Sequence, residues 1–358
     1  MKKKSPKVKL IDVARAANVS AATVSRLVSG QAGLDPQTRD RVVKAAVRLG
    51  FDLERGKKSK IIAFLLSNRG VLHPFHSSVL MGVEAYCAER NYALLFLPFQ
   101  YATNTPAEEL KLPEILQRSR MISGVIAAGT NSQNLLGVLT RRGIPWVGLG
   151  NNVIGEVPKA QTGLVYFDDL TGAYELTRYL LSLRHRQIAF IGNLHLPWYA
   201  RRHEGYRRAM QEAGLPCQVS ELNSREGEEM GYLAAKLFLQ QPVIPTAIFA
   251  GDDAAARGVY KVARDLGITI PDQLSVVGFN DTPDASALQP PLTSVRVFTD
   301  ELGKQLAESL LSRISRPDLP LRDLTLPTQI VRRESCAALQ LNGQPTSRVN
   351  GDALSSGN

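Results

Sequence analysis

Residues 20–29 carry side chains suited to contacts with a DNA duplex. Arg26 can donate two hydrogen bonds to O6 and N7 of a guanine, or bind a phosphate instead. Ala21 and Ala22 offer only methyl groups, which suit the C5-methyl group of thymine. The other candidates carry hydroxyls that can cap a helix or bind phosphates: Ser20, Thr23, Ser25 and Ser29. These residue types predict base readout from one short helix.

Two helical patterns around a tight turn position these side chains. The first has an apolar stripe formed by Ile11, Val13, Ala14 and Ala17. Asn18 lies at the break, where a short polar side chain tolerates a left-handed backbone. Ser20 is placed to cap a second helix that begins at Ala21 and ends near Ser29, with Val24, Leu27 and Val28 facing inward. This is a helix-turn-helix pattern, whose second helix enters the DNA major groove.

Charge separates this interpretation from an ordinary helical hairpin. The first 60 residues contain 15 Lys and Arg but only 5 Asp and Glu, whereas the other 298 residues contain 28 of each. The whole net charge of +10 therefore lies in the N-terminal segment. A basic module on a neutral body is the electrostatic signature of a nucleic-acid-binding protein.

The run LIDVARAANVSAATVSRLVSG, from Leu10 to Gly30, resembles the headpiece of the LacI/GalR family of bacterial transcription regulators. A third helical pattern at residues 38–46, ending in Leu49-Gly50-Phe51, continues the resemblance, which extends to about Cys336. The resemblance implies that the two residues after Ser20 select operator bases. It also implies a body like that of a periplasmic sugar-binding protein, and a homodimer that binds double-stranded operator DNA.

From Lys60 onward, apolar strands alternate with amphipathic helices, two of them predicted at Glu108–Arg118 and Arg202–Ala213. Continuous apolar strands of this kind predict parallel sheets covered on both faces. The predicted fold class is α/β, with an N-terminal all-α helix-turn-helix headpiece and a periplasmic-binding-protein-like body of two doubly wound parallel-sheet subdomains. Ligands of such sheets bind at the carboxyl ends of the strands.

The predicted domains follow from these patterns and the resemblance. Residues 1–52 form the headpiece, and 53–60 form a short basic linker that lacks the family's Pro-Asn and hinge-helix motifs. The body covers 61–338, with one subdomain at about 61–161 and 291–320 and the other at about 162–290 and 321–338. The tail, 339–358, is rich in Ser, Gly and Asn and is predicted to be disordered.

The resemblance also locates an effector cleft. His73-Pro74-Phe75 matches the family's Asn-Pro-Phe loop, and Arg202 matches an arginine that points into the cleft. Asn280 stands where many members have aspartate, which leaves Asp252, after an apolar strand, as the remaining acid. Trp198 and Tyr199 precede Arg202 in a predicted loop and could stack on a sugar ring. The predicted effector-binding residues are His73, Phe75, Trp198, Tyr199, Arg202, Asp252 and Asn280.

The mixture of one forked donor, one acid, one amide and aromatic rings favours a small, polyhydroxylated, uncharged ligand, most simply a sugar. The alternatives are that Arg202 is a surface arginine in the first turn of its helix and that Trp198 serves only in packing. These alternatives remain open from the sequence.

Composition argues against other function classes. The chain contains no GxGxxG at a strand-to-helix turn, no GxxxxGK[ST] and no GxSxG, so a doubly wound enzyme is disfavoured. His185 has no nucleophile nearby in sequence and is predicted to be structural. Cys87, Cys217 and Cys336 lack metal-site spacing, and no metal or cofactor is expected. Because no apolar run is long enough for a membrane and no signal peptide is evident, the protein is predicted to be cytoplasmic, and a sugar-binding receptor is the weaker alternative.

Overall fold

The computed structural model describes residues 8–28, 34–51, 59–70, 73–118, 121–157, 163–220, 222, 227–318 and 322–339. Ser29, linker residues 52–58 and tail residues 340–358 lie outside these ranges. The predictions made for them therefore stay predictions.

The N-terminal segment folds into three helices, α1 (Leu10–Ala16), α2 (Ala21–Val28) and α3 (Pro36–Leu49). Asn18 adopts φ 53° at the turn, as its residue type predicts. The Ser20 hydroxyl accepts the Thr23 backbone N–H at 3.1 Å and so caps α2. These contacts confirm the predicted helix-turn-helix.

One residue of the predicted apolar stripe was assigned wrongly. Ile11 is 55% exposed, whereas Val13, Ala14 and Ala17 are buried and Leu10 packs against their cluster. Leu10 rather than Ile11 stands in i, i+3, i+4, i+7 register with the buried residues, so the inward face of α1 begins one residue earlier.

The body is built from alternating strands and helices. Its helices are α4 (Pro74–Glu89), α5 (Glu114–Gln117), α6 (Gln133–Arg141), α7 (Asp169–Ser182), α8 (Pro197–Glu212), α9 (Glu228–Leu239), α10 (Asp253–Asp265), α11 (Pro283–Ala287) and α12 (Thr299–Ser315). Its strands are β1 (Ile61–Ser67), β2 (Ala93–Phe99), β3 (Gly124–Gly129), β4 (Asn131–Ser132), β5 (Trp146–Leu149), β6 (Val153–Ile154), β7 (Leu164–Phe167), β8 (Ile188–Ile191), β9 (Gln218–Ser220), β10 (Ala247–Ala250), β11 (Ser275–Asn280), β12 (Thr293–Val297), β13 (Leu324–Leu326) and β14 (Thr328–Val331). None of the described helices is both long and apolar enough to cross a bilayer.

Two six-stranded sheets organise the body, which confirms the predicted α/β class. The first has the order β13-β7-β5-β3-β1-β2 and the second β14-β12-β11-β10-β8-β9. Strand pairs in both sheets are parallel except β12 with β14, which is antiparallel. The apolar runs of β1, β3 and β10 are buried along almost their whole length, as strands covered on both faces require.

The chain crosses between the sheets later than predicted. Strand β7 pairs with β5 in the first sheet, so the first crossing lies at Asp168 and not near 161. Strand β12 belongs to the second sheet and α12 follows it, which moves the second crossing from 290 to Phe298. The third lies at Pro327, between β13 and β14, and not near 320. Strand pairing decides where the chain crosses between the sheets. Because pairing is a long-range interaction, a local sequence pattern does not show it.

Two predicted helices have different bounds for a reason that involves proline. The helix predicted at Glu108–Arg118 is only the four-residue α5, because Pro113 cannot continue a helix through its own position. The helix predicted to begin at Arg202 begins instead at Pro197, since proline is well suited to the first helical turn. After β11 the chain adds α11, α12 and β12–β14, which no pattern in the sequence had predicted.

Glycines allow three helix pairs to pack with their backbones in close approach. A Cβ at Gly303 of α12 would lie 2.2 Å from the Val79 carbonyl oxygen of α4. A Cβ at Gly205 of α8 would lie 2.3 Å from the carbonyl oxygen of Leu170 in α7, and one at Gly231 of α9 only 1.9 Å from that of Ala255 in α10. These contacts fix the spacing of α4 and α12, of α7 and α8, and of α9 and α10.

Candidate functional site

Helix α2 presents an exposed surface that fits the predicted DNA-reading face. Ala21, Ala22, Ser25 and Arg26 are exposed, whereas Val24 is fully buried in the headpiece core. Thr23 is partly buried, and its hydroxyl lies 2.8 Å from the Ser20 hydroxyl. The exposed residues of α2 are therefore the candidates for base contact, whereas Ser20 and Thr23 stabilise the N-terminal end of the helix.

A small cavity of about 30 Å³ lies where the carboxyl ends of the two sheets meet. We call it the inner cavity; it is lined by Arg69, His73, Phe75, His76, Asn152, Phe167, Trp198, Arg202, Asp252 and Asn280. Six of the seven predicted effector residues are among these; five lie in segments that follow β1, β8 and β10, and Asn280 is the last residue of β11. This is the position at which open parallel sheets bind their ligands.

Arg202 lies deep in the cleft and is not a surface residue, being only 2% exposed. Its guanidinium donates to the Gly251 carbonyl at 2.6 Å and to Asn280 Oδ1 at 2.9 Å, and it lies over the Phe279 ring at 4.0 Å. Its Nε is buried without a hydrogen-bond partner. Burial lowers the pKa of Arg202, while the charges of Asp169 and Asp252 oppose that shift.

Tyr199 does not line the inner cavity, so its predicted role in stacking on the ligand is wrong. It lies in the first turns of α8, fully buried, and its hydroxyl donates to Asp252 Oδ2 at 2.6 Å. Asp252 in turn caps α10, because Oδ1 accepts the Ala255 backbone N–H at 2.7 Å. The carboxylate therefore already has a protein partner on each oxygen.

Trp198 also lies in α8 and not in a loop, although it does line the inner cavity. The guanidinium of Arg69, which follows β1, lies 4.4 Å from the centre of the Trp198 ring. Since β1 belongs to the first sheet and α8 follows β8 of the second, this cation–π contact spans the cleft.

Two histidines from the first turn of α4 form one wall. His73 and His76 have ring centroids 5.3 Å apart, and Nδ1 of each is buried without a hydrogen-bond partner. Burial, aided by His73 and Arg69, holds the pKa of His76 well below its usual value. The pKa of His73 is lowered by burial and by Arg69, against the opposing charge of Asp252. Both imidazoles are therefore neutral at pH 7.

The backbone at the end of β11 is strained. Asn280 has φ 106° and the next residue, Asp281, has φ 53°. Residues other than glycine rarely adopt such backbone angles, and backbone strain of this kind is concentrated at ligand sites. Here it directs the Asn280 amide oxygen to Arg202.

The inner cavity adjoins a larger space of about 750 Å³, which we call the outer cleft. The two share Arg69, His73, Asp252 and Asn280, and the outer cleft adds polar residues such as Asn68, Gln100, Glu228, Arg257, Thr282 and Asp284. Among the described residues, no three His, Cys, Asp or Glu side chains are placed to hold a metal ion.

Sequence reasoning missed four residues of the inner cavity: Arg69, His76, Asn152 and Phe167. Position relative to a strand end was the available signal, since Arg69 follows β1 and Phe167 ends β7. His76 lies one helical turn from His73, a spacing that places both on one face.

His185, predicted to be structural, is 2% exposed and joins two distant segments. Its Nε2 lies 3.1 Å from the Ala337 carbonyl and its Nδ1 lies 3.0 Å from the Thr246 hydroxyl. Because a carbonyl can only accept, Nε2 is the nitrogen that carries the proton. The contacts confirm a structural role, since His185 joins the segment after β14 to the residue that precedes β10.

The buried, neutral His185 predicts a loss of stability in acid. Burial lowers its folded-state pKa, so below the unfolded value near 6.5 the unfolded chain binds a proton that the folded chain does not. We expect the free energy of unfolding of the parent protein to fall, relative to His185→Gln, by up to about 1.4 kcal/mol per pH unit below pH 6.5. Urea unfolding at pH 7.5 and 5.5 measures this. The exposed His195→Gln serves as control, and an equal pH response in the parent and His185→Gln would contradict the assignment.

Comparison with known proteins divides the chain in the same way. Residues 9–52 match the model of the lacI family of bacterial regulatory proteins, and residues 177–336 match that of periplasmic binding protein-like domains.

Similarity to individual proteins extends over nearly the whole chain. The HTH-type transcriptional regulator DegA of Bacillus subtilis is 29% identical over 342 residues, which cover 93% of this chain and 99% of DegA. The ribose operon repressor of Haemophilus influenzae is 28% identical over 339 residues, covering 92% and 98%. The solved complex of the regulator CelR with cellobiose matches with a TM-score of 0.68 at 26% identity, covering 92% of this chain and 100% of that chain.

Proposed function

Because the chain belongs to the LacI family of bacterial regulatory proteins, we propose that it is a transcriptional repressor whose operator affinity is set by a sugar or sugar derivative in the cleft. The observation that carries this proposal is a helix-turn-helix with a solvent-facing α2, joined in one chain to a two-sheet body with a polar cleft. No catalytic role is assigned to the cleft.

The headpiece supports binding to double-stranded operator DNA. Its exposed α2 surface carries a guanidinium and methyl groups, and the first 60 residues carry the entire net charge of the chain. The charge attracts phosphates without regard to sequence, while α2 reads base edges. Operators with two-fold symmetry require two headpieces, so we assign a homodimer that acts in the cytoplasm on the chromosome.

The cleft supports control by a small ligand. Its walls come from both sheets, and the chain crosses between these sheets at Asp168, Phe298 and Pro327. A ligand that binds Arg202 and Asn280 on one side and His73 on the other stabilises one relative position of the subdomains. Such differential binding shifts the equilibrium between the DNA-binding and released forms. The names of the ribose operon repressor and the CelR–cellobiose complex support a carbohydrate ligand.

An electrophoretic mobility shift experiment tests the function. The full-length protein is incubated with genomic fragments from its own source, with and without a panel of sugars. We expect specific retardation of at least one fragment and its release or strengthening by one sugar or sugar derivative. Retardation of all fragments alike, with no effect of any sugar, would contradict the proposal.

Substitution of Arg26 tests base readout. We expect Arg26→Ala to weaken binding to the selected fragment by about 1–3 kcal/mol and to relax specificity at one position of each half-site. Fluorescence anisotropy with the selected and a random duplex measures both effects. Ser25→Ala, on the same exposed surface, is the matched control and should cost less. An equal loss on both duplexes would reassign Arg26 to a phosphate contact.

A further inference from the structure

The inner cavity combines a small volume with an excess of basic groups. Two guanidiniums line it against a single carboxylate, together with two imidazoles that are uncharged at pH 7. We propose that the ligand is a sugar acid, whose carboxylate enters the inner cavity beside Arg202 while its hydroxylated part occupies the outer cleft. The inference rests on the proposed function and specifies the chemical class of its ligand.

Arg202 supplies the first argument. Arg202 is 98% buried, and the hydrogen-bond acceptors of its guanidinium, the Gly251 carbonyl and the Asn280 amide, are both uncharged. A charge withdrawn from water without a hydrogen-bonded counter-charge is costly, and the group most able to offset this cost is an anion. The unpartnered Nε shows that the guanidinium has donor capacity left for it.

Asp252 does not serve as that counter-charge by direct contact. Its two oxygens already accept the Tyr199 hydroxyl and the Ala255 backbone N–H. The Arg202 guanidinium donates to Gly251 and Asn280 instead, so Asp169 and Asp252 act on it only through longer-range attraction, whereas a ligand carboxylate can form charge-assisted hydrogen bonds with it.

The histidine wall supplies a second, independent observation. His76 is 97% buried and its Nδ1 has no hydrogen-bond partner. A neutral imidazole can donate one hydrogen bond to a carboxylate oxygen, and a protonated one can donate two. His76 from α4 and Arg202 from α8 therefore both line the inner cavity.

Volume decides how the ligand enters. The 30 Å³ of the inner cavity hold about two water-sized groups, which suits the two oxygens of a carboxylate. The outer cleft of 750 Å³ is large enough for a monosaccharide, and its polar residues include Gln100, Glu228 and Thr282. A sugar acid therefore fits both spaces, with its carboxylate in the inner cavity and its hydroxylated part in the outer cleft. The uncharged ligand expected from the sequence would supply no negative charge to balance the positive charge of the inner cavity.

Matched pairs of sugars on the full-length wild-type protein test the inference. The probes are D-glucuronate with D-glucose, D-galacturonate with D-galactose and D-gluconate with D-sorbitol, followed by isothermal titration calorimetry and by thermal unfolding. We expect at least one acid to bind about 10- to 100-fold more tightly than its neutral partner. The inference is overturned if no acid binds, or if the neutral partners bind equally well.

Two further arms separate the possible sources of failure. Glucose 6-phosphate and galactose 6-phosphate test a phosphate in place of a carboxylate; binding of these alone overturns the sugar-acid assignment. The operator mobility shift is repeated with every probe. Release by neutral sugars overturns this inference and leaves the proposed function standing, whereas no effect of any probe on specific binding counts against both.

A variant series locates the contact. Arg202→Gln removes the charge but keeps an amide donor, and we expect it to lose at least about tenfold in affinity for the acid that binds the wild type. Arg207→Gln, in the same helix and paired with Glu204 on the surface, is the matched control and should bind that acid as the parent does. Thermal unfolding without ligand verifies that both variants fold. If Arg202→Gln binds the acid as tightly as the control, the carboxylate does not contact Arg202; if it does not fold, the matched sugar pairs on the wild type decide the question.

Discussion

Removal of residues 1–60 is expected to abolish DNA binding, both specific and nonspecific. These residues carry a net charge of +10, and residues 61–358 carry equal numbers of basic and acidic side chains. Nonspecific affinity comes from the release of counterions when basic groups neutralise phosphates, so the truncated chain lacks the principal source of attraction. Fluorescence anisotropy at low salt with selected and random duplexes measures the loss.

The folding and ligand response of the truncated chain serve as the control for this experiment. The body has its own sheets and apolar clusters, so its thermal transition and its response to ligand should persist. In the full-length protein, affinity for the random duplex should fall steeply with salt. Binding of the truncated chain to either duplex at low salt would show that the body contributes a DNA surface of its own.

Substitution Gly231→Ala is expected to destabilise the body by about 3 kcal/mol or more. An added Cβ would lie 1.9 Å from the Ala255 carbonyl oxygen and 2.6 Å from its carbonyl carbon, so α9 and α10 must move apart. The atoms nearest to the added Cβ are backbone atoms of Ala255, so no flexible side chain could move to relieve the clash. Urea unfolding followed by circular dichroism measures the free energy of unfolding.

Gly137→Ala is the matched control because it is also a glycine within a helix. No atom lies within 4 Å of a Cβ built at Gly137 in α6. There the substitution should increase stability by about 0.4–1 kcal/mol, since alanine loses less backbone entropy on folding. Similar changes for the two variants would show that α9 and α10 tolerate separation and that the close approach is not required.

Local chemistry made the headpiece predictable. Asn18 at the turn, Ser20 at the helix start and the spacing of Val13, Ala14 and Ala17 act within a few residues of one another. The error at Ile11 was a shift of one position in the same pattern. Apolar runs likewise predicted the strands of both sheets as far as β11, but not β12–β14, because a strand buried on both faces needs little besides continuous hydrophobicity.

The candidate site was only partly predictable. Motif positions and the resemblance brought His73, Phe75, Arg202, Asp252 and Asn280 to the cleft, and the structure places all of them there. Their partners could not be predicted, since Tyr199 reaches Asp252 across 53 positions of sequence and Arg202 reaches Asn280 across 78.

The sequence alone determined the two-part organisation, the basic helix-turn-helix and the α/β class, because each depends on composition or on contacts close in the chain. Only the tertiary structure decided where the chain crosses between the sheets, which oxygens of Asp252 are occupied, and that Arg69 and His76 join Arg202 in one cavity. These features arise where strand ends that are distant in sequence come together, and such long-range contacts cannot be inferred from neighbouring residues in the chain.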